Sequence, residues 1–325
     1  MLHPKYDLQI GSVVLKPESS NENISMTVSA SMNSPSDTFE GTFRSSGQAI
    51  DIKKEDILKL SLGYEDGMSD VFQGKVEDLI FRTFDMRIIS YSSTFNLSRV
   101  RKDKFYEQRT AGQIVKDLAN VAGVETKDIE DGVKFPYYAV DSNKNAYEHI
   151  KELAAVCGFD TYCNNKDQLM FKKYNPKTKH PVTYGKNIIR VSMNDWLNVY
   201  DGVTVIGESP ASESGPETSH WLKKEPMQSF AGNQDSPLFI VNRAVKDEQT
   251  AKKIAEENLN TIKSQLVVIM DLVGNPEIML GEGVTVEGVP NKSVNGDYQI
   301  RTIEHHFTKS EGFITTIKCR GKSKE

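Results

Sequence analysis

The sequence predicts an α+β protein, mostly β, with two small β-barrels flanking a two-helix α+β unit. Short runs of period-two alternation fill both ends of the chain, two amphipathic helices with glycine stops occupy the middle, and turn residues punctuate the strands densely. At 325 residues the chain has room for two or three units, taking about 100–200 residues per domain. The expected divisions are a first barrel over 1–104, an α+β insert over 105–178, and a second barrel over 179–325. The last division includes a polar loop at 208–238 and a helix at 247–262.

In the first division the clearest strand is Ile24–Met32, where Met26, Val28, Ala30 and Met32 alternate with Thr27, Ser29 and Ser31. Leu58, Leu60, Leu62 and Tyr64 repeat the pattern and end in a turn at Asp66-Gly67. Strands follow at Val71–Phe81 and Met86–Tyr91, and Gly74 marks an expected bulge or sharp bend.

The period changes near residue 109. Thr110–Ala122 reads as a helix with a capping box from Thr110 and Gln113, and Gly123 can close it. A second helix runs from about Asn145 to Cys157, stopped by Gly158. The two carry an internal echo at an offset of 35 residues, DLANVAGVET at Asp117–Thr126 and ELAAVCGFDT at Glu152–Thr161. Two copies make no helical array, so the echo predicts equivalent docking on one unit. A hairpin is expected from Asp160–Cys163 through Asn164–Asp167 into Leu169–Lys173.

Strands return at Ile188–Ser192 and Gly202–Gly207. The stretch Glu208–Leu238, with four prolines and no periodicity, reads as an exposed or partner-ordered loop. Asp247 caps the third helix. Asn295-Gly296 is the strongest short hairpin signal, opening the long strand Asp297–Thr308. There Tyr298 and Ile300 share one face and Ile303 and Phe307 the other, so the inward face switches near Thr302, as a strand bending around a barrel requires.

Composition narrows the function. Forty Lys and Arg against 45 Asp and Glu give a net charge of −5, contrary to a chain built to wrap nucleic acid. The longest apolar run, Leu266–Val273, is too short to span a membrane and contains Asp271. Met1–Ile10 has neither the basic start nor the apolar core of a secretory signal. Three cysteines form no disulfide framework, which suits a reducing compartment.

No phosphate-binding loop, dinucleotide fingerprint, zinc-protease motif or nucleophile elbow occurs. Cys157 falls on its helix's apolar face and reads as core filling. His305-His306 point to opposite faces of a strand and cannot grip one metal. Tyr137-Tyr138 after Pro136 reads as a loop–core junction, with a ligand platform as the alternative. The basic run of Arg99, Arg101, Lys102 and Lys104 is either a solvated connector or a face for an acidic partner. No catalytic residue, metal site or cofactor is expected.

Three stretches then resemble a known family. LKLSLGYEDGMSDVFQGKV at Leu58–Val76 is similar to its strand–turn–strand. RTAGQIVKDLANVAGV at Arg109–Val124 and AYEHIKELAAVCGFDTYCNNKDQLMFKKY at Ala146–Tyr174 resemble its helix-plus-hairpin unit. Asn275–Gly321 resembles its closing barrel, with Ile303 in the usual Val place and His306 as an added histidine. The family is the late-control gene D group of contractile-tail baseplate hub proteins, related to the N-terminal hub half of VgrG. The resemblance runs from about Tyr6 to Gly321 and is weakest over Glu208–Leu238.

The resemblance implies a structural homotrimer without enzymatic activity. It would adapt the six-fold tail tube to a three-fold spike, touch baseplate wedge proteins, and sit in a virion or particle tail assembled in the host cytoplasm. Because the sequence stops after the second barrel, the spike is expected to be a separate polypeptide. Two rival readings are a cell-wall hydrolase of the tail tip, using Cys157 or His149, and a small-barrel module for single-stranded DNA or glycan.

Overall fold

The computed structural model describes residues 3–15, 24–44, 51–195, 199–208, 227–263 and 266–322. The chain is α+β and mostly β, as expected. Its largest feature is one 13-stranded sheet that runs without a break from the N-terminal strands to the C-terminal ones. The expected barrels are therefore sheet regions of one continuous hydrogen-bonded ladder.

The join is the strand Gly296–Thr308. Along one edge it pairs antiparallel with Gly312–Gly321. Its other edge is divided: Gly283–Glu287 pairs its first residues and Ile24–Ser31 pairs residues from Thr302 onward. The register slips by one residue between Ile300 and Thr302, leaving Arg301 as the bulge. A single extra residue reverses the inward face, so Tyr298 and Ile300 before it and Ile303 and Phe307 after it are all buried. The switch in alternation near Thr302 is this bulge.

Two cores lie on the sheet. Leu8, Leu58, Leu60, Phe39 and Ile88 build one, closed by Phe307 and Phe313 from the far end of the chain. Val268, Met270, Ile300 and Ile317 build the other, joined by Met32 from the near end. Each fully buried leucine or isoleucine contributes about 1.5–3 kcal/mol relative to exposure. Each half of the chain thus depends on side chains from the other half.

Gly74 is not the expected bulge. The slips in strand Gly67–Phe81 fall instead between its pairings with Leu60/Ser61 and between Val76 and Asp78. At Gly74 a Cβ would sit 2.4 Å from the Tyr91 carbonyl oxygen, so glycine is required there by close backbone approach. Asn295-Gly296 opens the long strand, which forms a hairpin with Gly283–Glu287 as expected, but through a loop longer than a two-residue turn. The chain makes a short 3₁₀ turn at Lys292–Val294, and the Asn295 amide clamps the loop base by bonding both the N–H and the carbonyl of Val289.

Four helices are present among the described residues: α1 (Phe95–Arg99), α2 (Ala111–Val121), α3 (Ala146–Cys157) and α4 (Glu248–Ile262). Both α2 and α3 begin with complete capping boxes, Thr110/Gln113 and Asn145/Glu148, each cap worth about 1 kcal/mol. Each is followed by a left-handed glycine, Gly123 at φ 67° and Gly158 at φ 65°, and then a strand. Those strands, Thr126–Ile129 and Asp160–Cys163, flank Leu169–Lys172, one parallel to it and one antiparallel. The sequence echo is this helix–glycine–strand unit used twice on one small sheet.

The stretch 208–238 is not wholly loop. Residues 209–226 lie outside the described ones, but Gln228–Gly232 is a strand. It pairs with Gly202–Ile206, which also pairs in parallel with Pro237–Val241. Helix α4 packs on this sheet through Ala251, Ile254 and Ala255, giving a small core of its own beside that of α2 and α3.

The insert is fastened to the bulge. Arg301 Nη1 donates to Asp160 Oδ1 at 2.8 Å, Gln299 Nε2 donates to Asp160 Oδ2 at 2.5 Å, and the ion pair is largely shielded from water. Replacing Asp160 by Ala strands a shielded guanidinium. The expected loss is about 2–3 kcal/mol of unfolding free energy, read by chemical denaturation. A loss under about 0.5 kcal/mol would mean the pair behaves as a surface bridge.

Candidate functional site

The basic run, read from sequence as either a solvated connector or a face for an acidic partner, makes several contacts within the chain. Arg99 pairs with Glu77 at 2.8 Å and lies over the Phe95 ring, which itself stacks on Tyr91. Arg101 donates to the carbonyls of Ser142 and Asn143. Lys104 pairs with Asp117 at 2.6 Å, and the Tyr106 hydroxyl donates to the same carboxylate oxygen. Burial pushes the Asp117 carboxyl up, but the bonds from Lys104 and Tyr106 outweigh it and hold it below the usual range. Lys102 is exposed. Arg99, Arg101 and Lys104 hold the connector between sheet and insert.

Beside the run, the strands Lys104–Thr110 and Lys134–Val140 form a two-stranded ribbon. Tyr137 lies in the second strand, not in a loop, and stacks on Phe105 with ring centroids 5.6 Å apart, both rings exposed. Tyr138 packs inward against Phe135 and His149.

The side chains proposed for nucleophilic work are poorly placed for it. All three cysteines are buried. Burial raises the Cys157 thiol to about 11, and its sulfur accepts from the Val133 N–H at 3.4 Å, so little thiolate forms near neutrality. His149 is buried, with Nε2 on the Asp141 carbonyl and Nδ1 lacking a partner. His305 and His306 face opposite ways: His305 is buried against Thr315 and pushed down to about 4 by burial, while His306 bonds Thr27 across the sheet. Among the described residues no three His, Cys, Asp or Glu side chains are grouped to hold a metal.

A concavity lies where the sheet, the insert hairpin and the loop before Gly283 meet. It is a cleft of about 500 Å³. Val28 and Ile303 of the sheet, Tyr162 and Met170 of the hairpin, and Ile278 and Leu280 of the loop line its floor. The hairpin is buried on both faces, with Tyr162 and Met170 entering the second sheet core and Leu169 and Phe171 the helical one. That requirement explains its uninterrupted apolar run, Leu169–Phe171.

Asp37 stands at the cleft's inner wall. Its backbone N–H donates to Ser92 Oγ and its carbonyl accepts from the Ser92 N–H. Across the seam, Asp167 accepts from the Ser93 N–H at 2.6 Å. Burial first, then the charge of Asp167, raises the Asp37 carboxyl well above the ordinary range, and Asp167 is raised by burial too. Tyr147 and Lys151 of α3 complete the seam by donating to the carbonyls of Ser34 and Met32. Sequence periodicity could not find Asp37, Asp160 or Arg301 as functional positions, because their partners are remote in sequence.

The arrangement defines a class: a protein whose continuous sheet carries two cores and packs against a helical unit inserted between its strands. No family model matches the sequence, and no curated protein matches it. The fold, by contrast, is that of phage tail proteins. It superposes on the 43 kDa tail protein of prophage MuSo2 from Shewanella oneidensis with TM-score 0.73, 15% identity and 98% of both chains covered. A tail protein from Neisseria meningitidis MC58 gives 0.74 at 10% identity, over 98% of this chain and 96% of that one. An E. coli component of the type VI secretion system, itself similar in structure to T4 tail proteins gp27 and gp5, gives 0.61 at 11% identity, over 98% and 77%.

The seam generates a pH prediction. With its carboxyl raised in the folded state, Asp37 contributes stability in full below the unfolded value of about 3.9. That contribution is lost as pH rises through the folded value. Asp37→Asn therefore gains stability relative to wild type as pH is taken from about 4 to about 8, measured by denaturant midpoints. A constant difference between the two proteins across that range contradicts the assignment.

Proposed function

We propose that this chain is a baseplate hub of a contractile injection machine, with a mechanical task and no reaction to catalyse. Three copies form a ring in a virion or particle tail, assembled in the host cytoplasm. One side of the ring meets the six-fold tail tube and the other a trimeric spike, with wedge proteins around it. Segments 1–104 and 179–325 supply the two barrel regions and 105–178 the insert.

The observation that carries this reading is the pair of sheet-borne cores in every chain, joined through Gly296–Thr308. Three chains then offer six related bodies to a six-fold tube while keeping three-fold symmetry toward a spike. The likeness to tail-protein folds supports it, as does an engaged network of ion pairs where a cleft enzyme needs free, tuned groups. Among the described residues the sheet has terminal strands at Val13–Leu15, at Ile188–Asn194 and, on a branch through Gly283–Glu287, at Lys179–Thr183. Pairing such edges between copies removes an aggregation hazard.

Light scattering on the purified chain is the test. The expected mass is three times 36.5 kDa for the chain alone, or, where the spike templates the ring, that mass plus three spike chains once the spike is added. A monomer under both conditions contradicts the hub and returns attention to a small-barrel binding module.

A further inference from the structure

We propose that the seam between the hairpin turn at 164–167 and the sheet loops at 32–37 and 92–94 is a proton-dependent latch. While the carboxyl pair Asp37 and Asp167 holds a proton, the turn is fastened to the sheet; when both are ionised, the turn lifts off as a unit.

The two sides of the seam come from remote parts of the chain. Asp37 lies in the loop after Ile24–Ser31, and Asp167 in the turn that joins Asp160–Cys163 to Leu169–Lys172. Asp37 is buried and Asp167 partly buried. Buried Cys163 stands with them, its sulfur 3.6 Å from Asp167 Oδ1. Among the described residues neither carboxylate has a lysine, arginine or histidine within ion-pair distance. Two uncompensated carboxylates in a shielded place repel each other more strongly than they do in water, and one proton removes the repulsion.

The groups that face the pair do not supply the missing charge. Tyr147 of α3 and Cys163 of the hairpin stay neutral, both pushed up by burial and then by Asp37. Glu125 adds a negative charge beside Asp167. His305 of the long strand lines the same cleft but is pushed down to about 4 by burial, so it carries no charge near neutrality. Lys151 of α3 donates to the Met32 carbonyl, and Lys166, in the turn itself, is exposed. The cleft's remaining charged groups are engaged elsewhere. Lys172 pairs with Asp128, which Lys127 and Lys177 also hold down, Glu282 bonds His180, and Asp70 accepts from Ser61. A backbone bond from Ser31 favours the Asp37 carboxylate but does not outweigh burial and Asp167.

The turn is built to move in one piece. Asn164 Oδ1 accepts from the N–H groups of Lys166 and Gln168, each at 3.0 Å, and the Asp167 N–H donates to the Asn164 carbonyl. Asp167 itself sits at φ 61°, a left-handed conformation that is costly for a residue with a side chain. The bonds that cross to the sheet are Ser93 N–H to Asp167 Oδ1 at 2.6 Å, Ser93 Oγ to the Asp167 carbonyl at 3.4 Å, and Asn165 Nδ2 to the Asp70 carbonyl at 2.9 Å. The hairpin strands stay anchored by Asp160 on Arg301 and by Tyr162 and Met170 in the second sheet core. Raising the pH adds the second charge where only these crossing bonds oppose separation. A carboxyl raised in the folded state loses its contribution as pH rises through the folded value, so the latch opens in the alkaline direction.

Amide-resolved hydrogen exchange on the full-length chain, corrected for intrinsic rates, tests the latch. The Ser93 N–H, which bonds Asp167 across the seam, should lose protection by at least about tenfold between about pH 5 and about pH 8. The Ser92 N–H bonds the Asp37 carbonyl on the sheet side, and the Gln168 N–H bonds within the turn. Both should keep their protection, as should Leu60 and Ile88 in the first sheet core. Asp37→Asn and Asp167→Asn each leave at most one charge at the seam, and each should flatten the Ser93 dependence. The latch is overturned if Ser93 protection does not change with pH, or if Asp37→Asn or Asp167→Asn keeps the wild-type dependence. It is also overturned if Ser92, Gln168, Leu60 and Ile88 lose protection together with Ser93, since pH then weakens the whole fold. The hub reading is tested separately, by the mass of the assembly.

Discussion

The structure depends on one strand that serves two cores. Gly296–Thr308 is too long to lie flat against a single small barrel, and the bulge at Arg301 turns it from one core to the other. Without the extra residue, its second half would carry Ile303, His305 and Phe307 to the solvent face. With it, Ile303 enters the second core, Phe307 enters the first, and His305 finds Thr315. The N-terminal strand Ile24–Ser31 then has a ladder to join, although its partner lies more than 270 residues away in sequence.

The insert acts as a brace at that bend. Asp160 from the hairpin holds Arg301 at the bulge, and Lys151 and Tyr147 hold the loop that leaves Ile24–Ser31. The hairpin reaches both the second sheet core and the helical core, and the cleft lies beside it.

Much of the architecture was legible locally. Alternation located Ile57–Tyr64 and Gly296–Thr308 within a residue or two, the Thr110/Gln113 box and Gly158 bounded the helices, and the change of face near Thr302 located the bulge. Long-range pairing was not legible, because nothing in Ser25–Ser31 specifies the strand that will lie beside it. The strand Gln228–Gly232 was missed because its sequence, QSFAG, is short, polar and flanked by prolines at 226 and 237. Gly74 was misread since a bulge and a close backbone approach demand the same residue. The candidate contact run was visible as charge, but its partners Glu77, Asn143 and Asp117 come from three other elements.

Native-state hydrogen exchange under increasing denaturant tests the shared strand most directly. If Gly296–Thr308 makes the two cores one body, the amides of Leu60 and Ile88 in one core and of Met270 and Ile317 in the other exchange through a single opening. That opening includes Ile303 and His305 and has one denaturant dependence and one free energy. Two separate openings, with one core exchanging while the other stays protected, would contradict it and show two barrels that merely touch.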